Sequence, residues 1–100
     1  MNILIVGAGQ VGYFLCERLS LEGHEVTLLD RDQEHLNAAQ DRLNVLGILG
    51  NGASAETMEQ AGIKEADIVM AVTDLDEGNI PVCLLAREYG VGQRIARVTS

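Results

Sequence analysis

The stretch ILIVGAGQVG, residues 3–12, decides how the rest of the chain is read. Ile3, Leu4, Ile5 and Val6 read as a strand buried on both faces, and they run directly into Gly7, Gly9 and Gly12 at the spacing G-x-G-x-x-G. Glycine loses more conformational freedom on ordering than any other residue, so three of them after a strand need a physical reason. A strand, a tight turn and a helix that receives an anion at its N-terminus supply one. Gly7 then makes the turn, Gly9 lets a pyrophosphate approach the backbone, and Gly12 lets the helix pack closely on its strands. The unpaired N–H groups of the helix's first turn and the positive end of its dipole provide the attraction.

Outward from that unit, apolar runs alternate with segments of helical period. The strand candidates are 3–6, 26–29, 45–49, 68–72 and 95–98, and their nearly continuous apolar character predicts burial on both faces, as in a parallel sheet. A first helix opens near Gln10 with Val11, Phe14, Leu15 and Leu19 on one face, Glu17, Arg18 and Glu22 on another, and Gly23 as its stop. A second, over 32–43, turns Leu36, Ala39 and Leu43 inward and takes Asp32 as its cap. Ser54 caps a third, short helix that runs to Ala61 and closes at Gly62, and a fourth covers 77–89 and stops at Gly90. Pro81 is tolerated near a first turn but not inside a helix, so the fourth helix is expected to start at Glu77 or Gly78. Strand–helix alternation with right-handed crossovers predicts a doubly wound α/β parallel sheet, the Rossmann fold, with five strands in the order 3-2-1-4-5 and four helices.

The second half of the glycine signal is Asp30, 18 residues beyond Gly12 at the end of the second strand. A carboxylate there accepts hydrogen bonds from ribose hydroxyls and repels a 2′-phosphate, which favours NAD or another unphosphorylated adenosine nucleotide over NADP. Arg31 is expected over the adenine or paired at the surface. GNGAS, residues 50–54, follows the third strand, where Asn51 either meets the base edge or belongs to a plain turn before the Ser54 cap. TDLDEGN, residues 73–79, sets Thr73, Asp74, Asp76, Glu77 and Asn79 across the switch point from Asp30. Asp76 and Glu77 are accounted for by capping and dipole stabilisation, while the density of acids is also compatible with reading a ligand's distal end or holding a cation.

Composition narrows the function classes. One hundred residues, 47% of them hydrophobic, make one domain, and Lys+Arg 7 against Asp+Glu 15 leaves a net charge of -8, which disfavours nucleic acid or an anionic membrane as the main partner. Cys16 and Cys83 are far apart, form no C-x-x-C, and read as buried free thiols of a reducing compartment. No apolar run approaches the ~20 residues of a membrane span or has the leader of a signal peptide, so the expectation is a soluble cytoplasmic protein. His24, before the second strand, and His35, on the second helix, are expected at the surface and far from the crevice. No nucleophile stands beside a base, so binding is supported and catalysis is not.

At the level of whole motifs the chain resembles the nucleotide-binding N-terminal domains of TrkA-type potassium-uptake regulatory proteins, the KTN/RCK family. The resemblance rests on ILIVGAGQVG, the strand-end Asp30, GNGAS followed by ETMEQAGI at 56–63, ADIVMAVTDLDEGN at 66–79 and RIARV at 94–98. It implies a cytoplasmic regulatory subunit, not an enzyme, that binds NAD(H), with ATP/ADP as the alternative. Such a subunit assembles with copies of itself beneath a potassium-transporting membrane protein, peripheral to the inner face of the cell membrane. Carried over by position, Gly7, Gly9, Gln10 and Val11 form the phosphate loop beside Gly12, Asp30 holds the ribose and Arg31 borders the adenine. Asn51 and Ala53 lie near the base, and Thr73, Asp74 and Glu77 face the distal phosphate or nicotinamide side. Residues 1–100 are expected to be the N-terminal fragment of a longer protein that dimerises through its last strand or its fourth helix. Two other classes stay open: the cofactor domain of an NAD-dependent oxidoreductase, and an assembly module with a vestigial site.

Overall fold

The computed structural model describes residues 1–98, without the side chains of Asp76 and Glu77. Its strands are β1 (Asn2–Val6), β2 (Glu25–Asp30), β3 (Leu46–Leu49), β4 (Ile68–Ala71) and β5 (Gln93–Ala96). All pair in parallel, in the order β3-β2-β1-β4-β5 that the sequence predicts. Four helices cross between them: α1 (Gln10–Leu21), α2 (Gln33–Arg42), α3 (Ala55–Gln60), followed by a 3-10 turn (Ile63–Glu65), and α4 (Asp76–Glu88).

Alternation along β1 divides the core into two layers. Ile3 and Ile5 face α1 and α2 through Cys16, Leu36 and Ala39, while Leu4 and Val6 face α3 and α4 through Met58, Val82 and Ala86. Burial on both faces holds for β1 and for Ile68, Val69 and Ala71 of β4. It fails at the edges, where Leu46 and Leu49 of β3 and Ile95 of β5 are exposed, because an edge strand has neighbours on one side alone.

Local signals act where the sequence puts them. Asp32 Oδ1 accepts from Glu34 N at 2.9 Å to cap α2, and Ser54 Oγ accepts from Thr57 N at 3.3 Å to cap α3. Gly23, Gly62 and Gly90 close helices with positive φ. Two expectations are corrected. Phe14 is exposed, not inward: at about 100° per residue the buried face of α1 centres between Leu15, Leu19, Gly12 and Cys16, and Phe14 falls on the opposite side. The fourth helix starts at Asp76, before the expected start, so Pro81 is its sixth residue and lies inside it. Among the described residues, no helix is long and apolar enough to cross a membrane.

Candidate functional site

The C-terminal ends of the strands open onto a crevice of about 290 Å³, bounded by the loops after β1, β2, β3 and β4. This is the switch point of a doubly wound sheet, where chains leaving β1 and β4 turn to opposite faces.

Its floor is the glycine loop. Gly7 N donates to Leu29 O at 2.8 Å, which carries the β1–β2 pairing one residue past the strand before the chain turns. Gly7 has φ 113°, and a Cβ there would lie 2.8 Å from Thr73 N. A Cβ on Gly12 would collide with the Gly7 carbonyl oxygen, so α1 sits close against the strand only because that atom is missing. Gly9 differs: its φ of -72° suits any residue, and a Cβ would meet nothing nearer than Asp74 Oδ1 at 3.6 Å. Folding therefore accounts for Gly7 and Gly12 and leaves Gly9 unexplained.

Gly9 is also the N-cap of α1 and brings no side chain to it. The first bond of that helix runs from Tyr13 N to Gly9 O at 2.9 Å, so the N–H groups of Gln10, Val11 and Gly12 have no acceptor within the helix.

Asp30 stands over this helix entrance. Its side chain is 15% exposed, and its Oδ1 accepts from Ala8 N at 2.9 Å, tying the end of β2 to the middle of the glycine loop. Oδ2 accepts from Asp32 N at 2.9 Å and lies 3.2 Å from His35 Nδ1. His35 therefore belongs to the crevice, contrary to the sequence expectation. It is the third residue of α2, and the first turn of that helix folds back over the strand end it has just left. His24 pairs instead with the N-terminal amine at 3.2 Å, away from the crevice.

The other predicted residues divide between the crevice and its surroundings. Arg31, Asn51, Thr73 and Asp74 line it together with Gly7, Gly9 and Asp30. Asn51 Oδ1 accepts from Ala53 N at 2.9 Å, folding the loop after β3 on itself. The hydroxyl of Thr73 is 2.6 Å from Asn79 Oδ1 and accepts from Leu75 N at 3.3 Å, so it braces the loop it sits on. Asn79 is fully buried, with Nδ2 donating to the carbonyls of Thr73 at 3.2 Å and Arg97 at 3.0 Å; it ties the β4 loop to the end of β5. Asp74 is solvent-facing and pairs with Arg97 Nη1 at 3.5 Å. Gln10 lies outside the crevice in an adjoining hollow with Tyr13 and His35, while Val11 packs against the α1 core. Gly12 is buried beneath the entrance, Ala53 is exposed, and the Glu77 side chain lies outside the described residues. Sequence reasoning missed His35, Gly50, Gly52, Leu75 and Gly78 as lining residues. For Gly50 and Gly52 the signal was present in the GNGAS loop, and for Leu75 and Gly78 in TDLDEGN; for His35 there was none.

Beneath the site, burial holds the Cys16 thiol at about 12 and raises that of half-buried Cys83 against the opposing pull of Arg94.

Residues 3–100 match the TrkA-N domain family. The chain is 40% identical over 100 residues to the Trk system potassium uptake protein TrkA homolog of Methanothermobacter thermautotrophicus, covering 100% of this chain and 46% of that protein. It thus spans less than half the length of that relative. Among solved structures, the Shewanella denitrificans Kef CTD in AMP bound form superposes with a TM-score of 0.84 at 23% identity, over 100% of this chain and 60% of that one. The NAD(P)-binding domain of an exopolyphosphatase-related protein from Archaeoglobus fulgidus superposes with a TM-score of 0.84 at 18% identity, over 98% of this chain and 73% of that one. At those identities the two structures attest the fold.

Proposed function

The chain belongs to the TrkA-N domain family, and from that premise we propose that it is a regulatory nucleotide-binding module, not an enzyme, whose crevice takes NAD(H) or ATP/ADP. In this reading the diphosphate lies against the main chain of Gly7, Gly9, Gln10, Val11 and Gly12, where uncapped N–H groups meet it. Asp30 holds the adenosine ribose, Arg31 borders the adenine, and Asn51 and Ala53 stand near the base. Thr73, Asp74 and Glu77 face the distal end. The observation that carries the reading is the hydrogen bond from Ala8 N to Asp30 Oδ1, which fixes a carboxylate beside an uncapped helix entrance. Phosphate and sugar sites are thereby set at a constant separation.

The regulatory part follows from the relatives being Trk system potassium uptake proteins. Copies of the chain assemble in the cytoplasm through β5 or α4 beneath a potassium-transporting membrane protein, and the nucleotide shifts the arrangement of subunits. That requires unequal affinity for the two arrangements, since a ligand that binds both equally moves nothing.

A thermal-shift panel of NAD, NADH, NADP, ATP and ADP on the chain and on Asp30→Ala tests the site. At about 100 times its dissociation constant a ligand adds about 2.7 kcal/mol to stability. The expected outcome is a rise with NAD(H) or ATP/ADP, a smaller one with NADP, and little response in the variant. Equal responses in both proteins would remove Asp30 from the site, and no response to any nucleotide would overturn the reading.

A further inference from the structure

An ionised carboxylate offers about four acceptor positions on its two oxygens. Three of those on Asp30 are occupied within the fold, by Ala8 N, Asp32 N and His35 Nδ1. The ribose of an adenosine nucleotide brings two hydroxyl donors, and one free position is left for them. Ala8 N and Asp32 N are main-chain donors fixed by the turns they belong to. His35 is the one partner that can leave. Its side chain is 52% exposed, and its ring borders both the crevice and the adjoining hollow beside Gln10 and Tyr13, which gives it somewhere to go.

We propose that His35 is a specificity-determining residue of the ribose pocket: its imidazole occupies the acceptor position on Asp30 that the second ribose hydroxyl needs, and a bound ribonucleotide must displace it. The inference rests on the nucleotide-binding reading above. A 2′-deoxynucleotide brings a single hydroxyl, fits the free position and leaves His35 in place. The gain from the 2′-hydroxyl is therefore reduced by the displacement, and the site discriminates weakly between the two sugars. The ring also reaches Asp32 at the α2 cap, whose Oδ2 is 3.7 Å from Nε2.

The test is calorimetric titration of ADP, 2′-deoxy-ADP and NAD(H) into the chain, His35→Leu and His35→Gln. ADP and 2′-deoxy-ADP carry the same phosphates, so their affinity ratio isolates the sugar. In His35→Leu the preference for ADP over 2′-deoxy-ADP is expected to rise ~10-fold or more, the worth of one hydrogen bond to a charged group. His35→Gln keeps a donor at that position and is expected to match the chain. Binding of ADP with the same ratio in the chain and in His35→Leu would overturn this proposal and leave the nucleotide site standing. Absence of binding by ADP and NAD(H) to all three proteins would overturn both.

Discussion

Gly9 and Gly12 share one motif and answer to different physics. Gly12 is demanded by the fold, because its Cβ would enter the Gly7 carbonyl oxygen. Gly12→Ala is accordingly expected to lower stability by about 3 kcal/mol or more in urea unfolding, since backbone must move to admit the methyl group. Gly9→Ala is expected to leave the urea midpoint within about 0.5 kcal/mol of the parent, as its Cβ would make only ordinary contacts, yet to abolish the rise in melting temperature with nucleotide. A Gly9→Ala protein stabilised by nucleotide as well as the parent would show that no phosphate approaches there. The spacing G-x-G-x-x-G made the need for glycine legible without saying which glycine serves packing and which serves a ligand. Gly12 is fixed by the Gly7 carbonyl once the loop has turned, while the need at Gly7 and the open space at Gly9 depend on where Thr73 and Asp74 arrive from about 65 residues further along the chain. Asp30 was legible for the same reason as the glycines, by its place at a strand end. His35 was not, because helical period ranks the faces of α2 and is silent on how its first turn folds back over β2.

At the scale of elements, the starts of α2 and α3 were readable from their Asp32 and Ser54 caps, that of α4, which follows Leu75 without a side-chain cap, was not, and phases were readable where enough inward residues fixed the face. On α1, Phe14 was misassigned because Gly12 and Cys16, small and easily overlooked as core, set the centre of the buried side. Cys16 makes that burial measurable. Its thiol is held at about 12, whereas in the unfolded chain it ionises near the usual ~8.5. Below the unfolded value both states keep the proton and the contribution to stability is fully present. Between there and about 12 the unfolded chain gives up a proton that the folded chain retains, so stability falls by up to about 1.4 kcal/mol per pH unit. Urea unfolding at a series of pH values above ~8.5 is expected to show this slope, and Cys16→Ala a shallower one. Pro81 is the element-level anomaly: as the sixth residue of α4 it deprives the Glu77 carbonyl of its usual partner four residues on. Pro81 is exposed and contributes no core packing, so Pro81→Ala is expected to raise stability by about 1 kcal/mol, read from the melting temperature. A lower melting temperature would mean that the ring's restraint on the unfolded chain outweighs the missing bond.

Across the whole molecule, strand order followed from alternation and crossover chirality once the chain was read as a Rossmann fold, while the exposure of β3 and β5 depends on what lies beyond each edge, which no residue of those strands encodes. Charge acts at this scale too. The chain carries -8 at neutral pH, yet its crevice is proposed to hold an anion. The two statements are compatible because they act over different lengths. Main-chain N–H groups at the α1 entrance act on a phosphate in direct contact, where salt screens little. The repulsion from the remaining carboxylates is long-range, and the molecule measures 32 × 27 × 24 Å. In about 0.01 M salt the screening length is about 30 Å, so acids across the whole chain reach the ligand; in about 0.1 M it is about 10 Å and only those near the crevice do. Affinity for ADP, measured by calorimetric titration, is therefore expected to increase several-fold as salt is raised from about 0.01 to about 0.1 M. A site that relied on cationic side chains would weaken over the same range. A fall in affinity would thus transfer the phosphates from the α1 entrance to Arg31 or to Arg97, which Asp74 now holds at 3.5 Å.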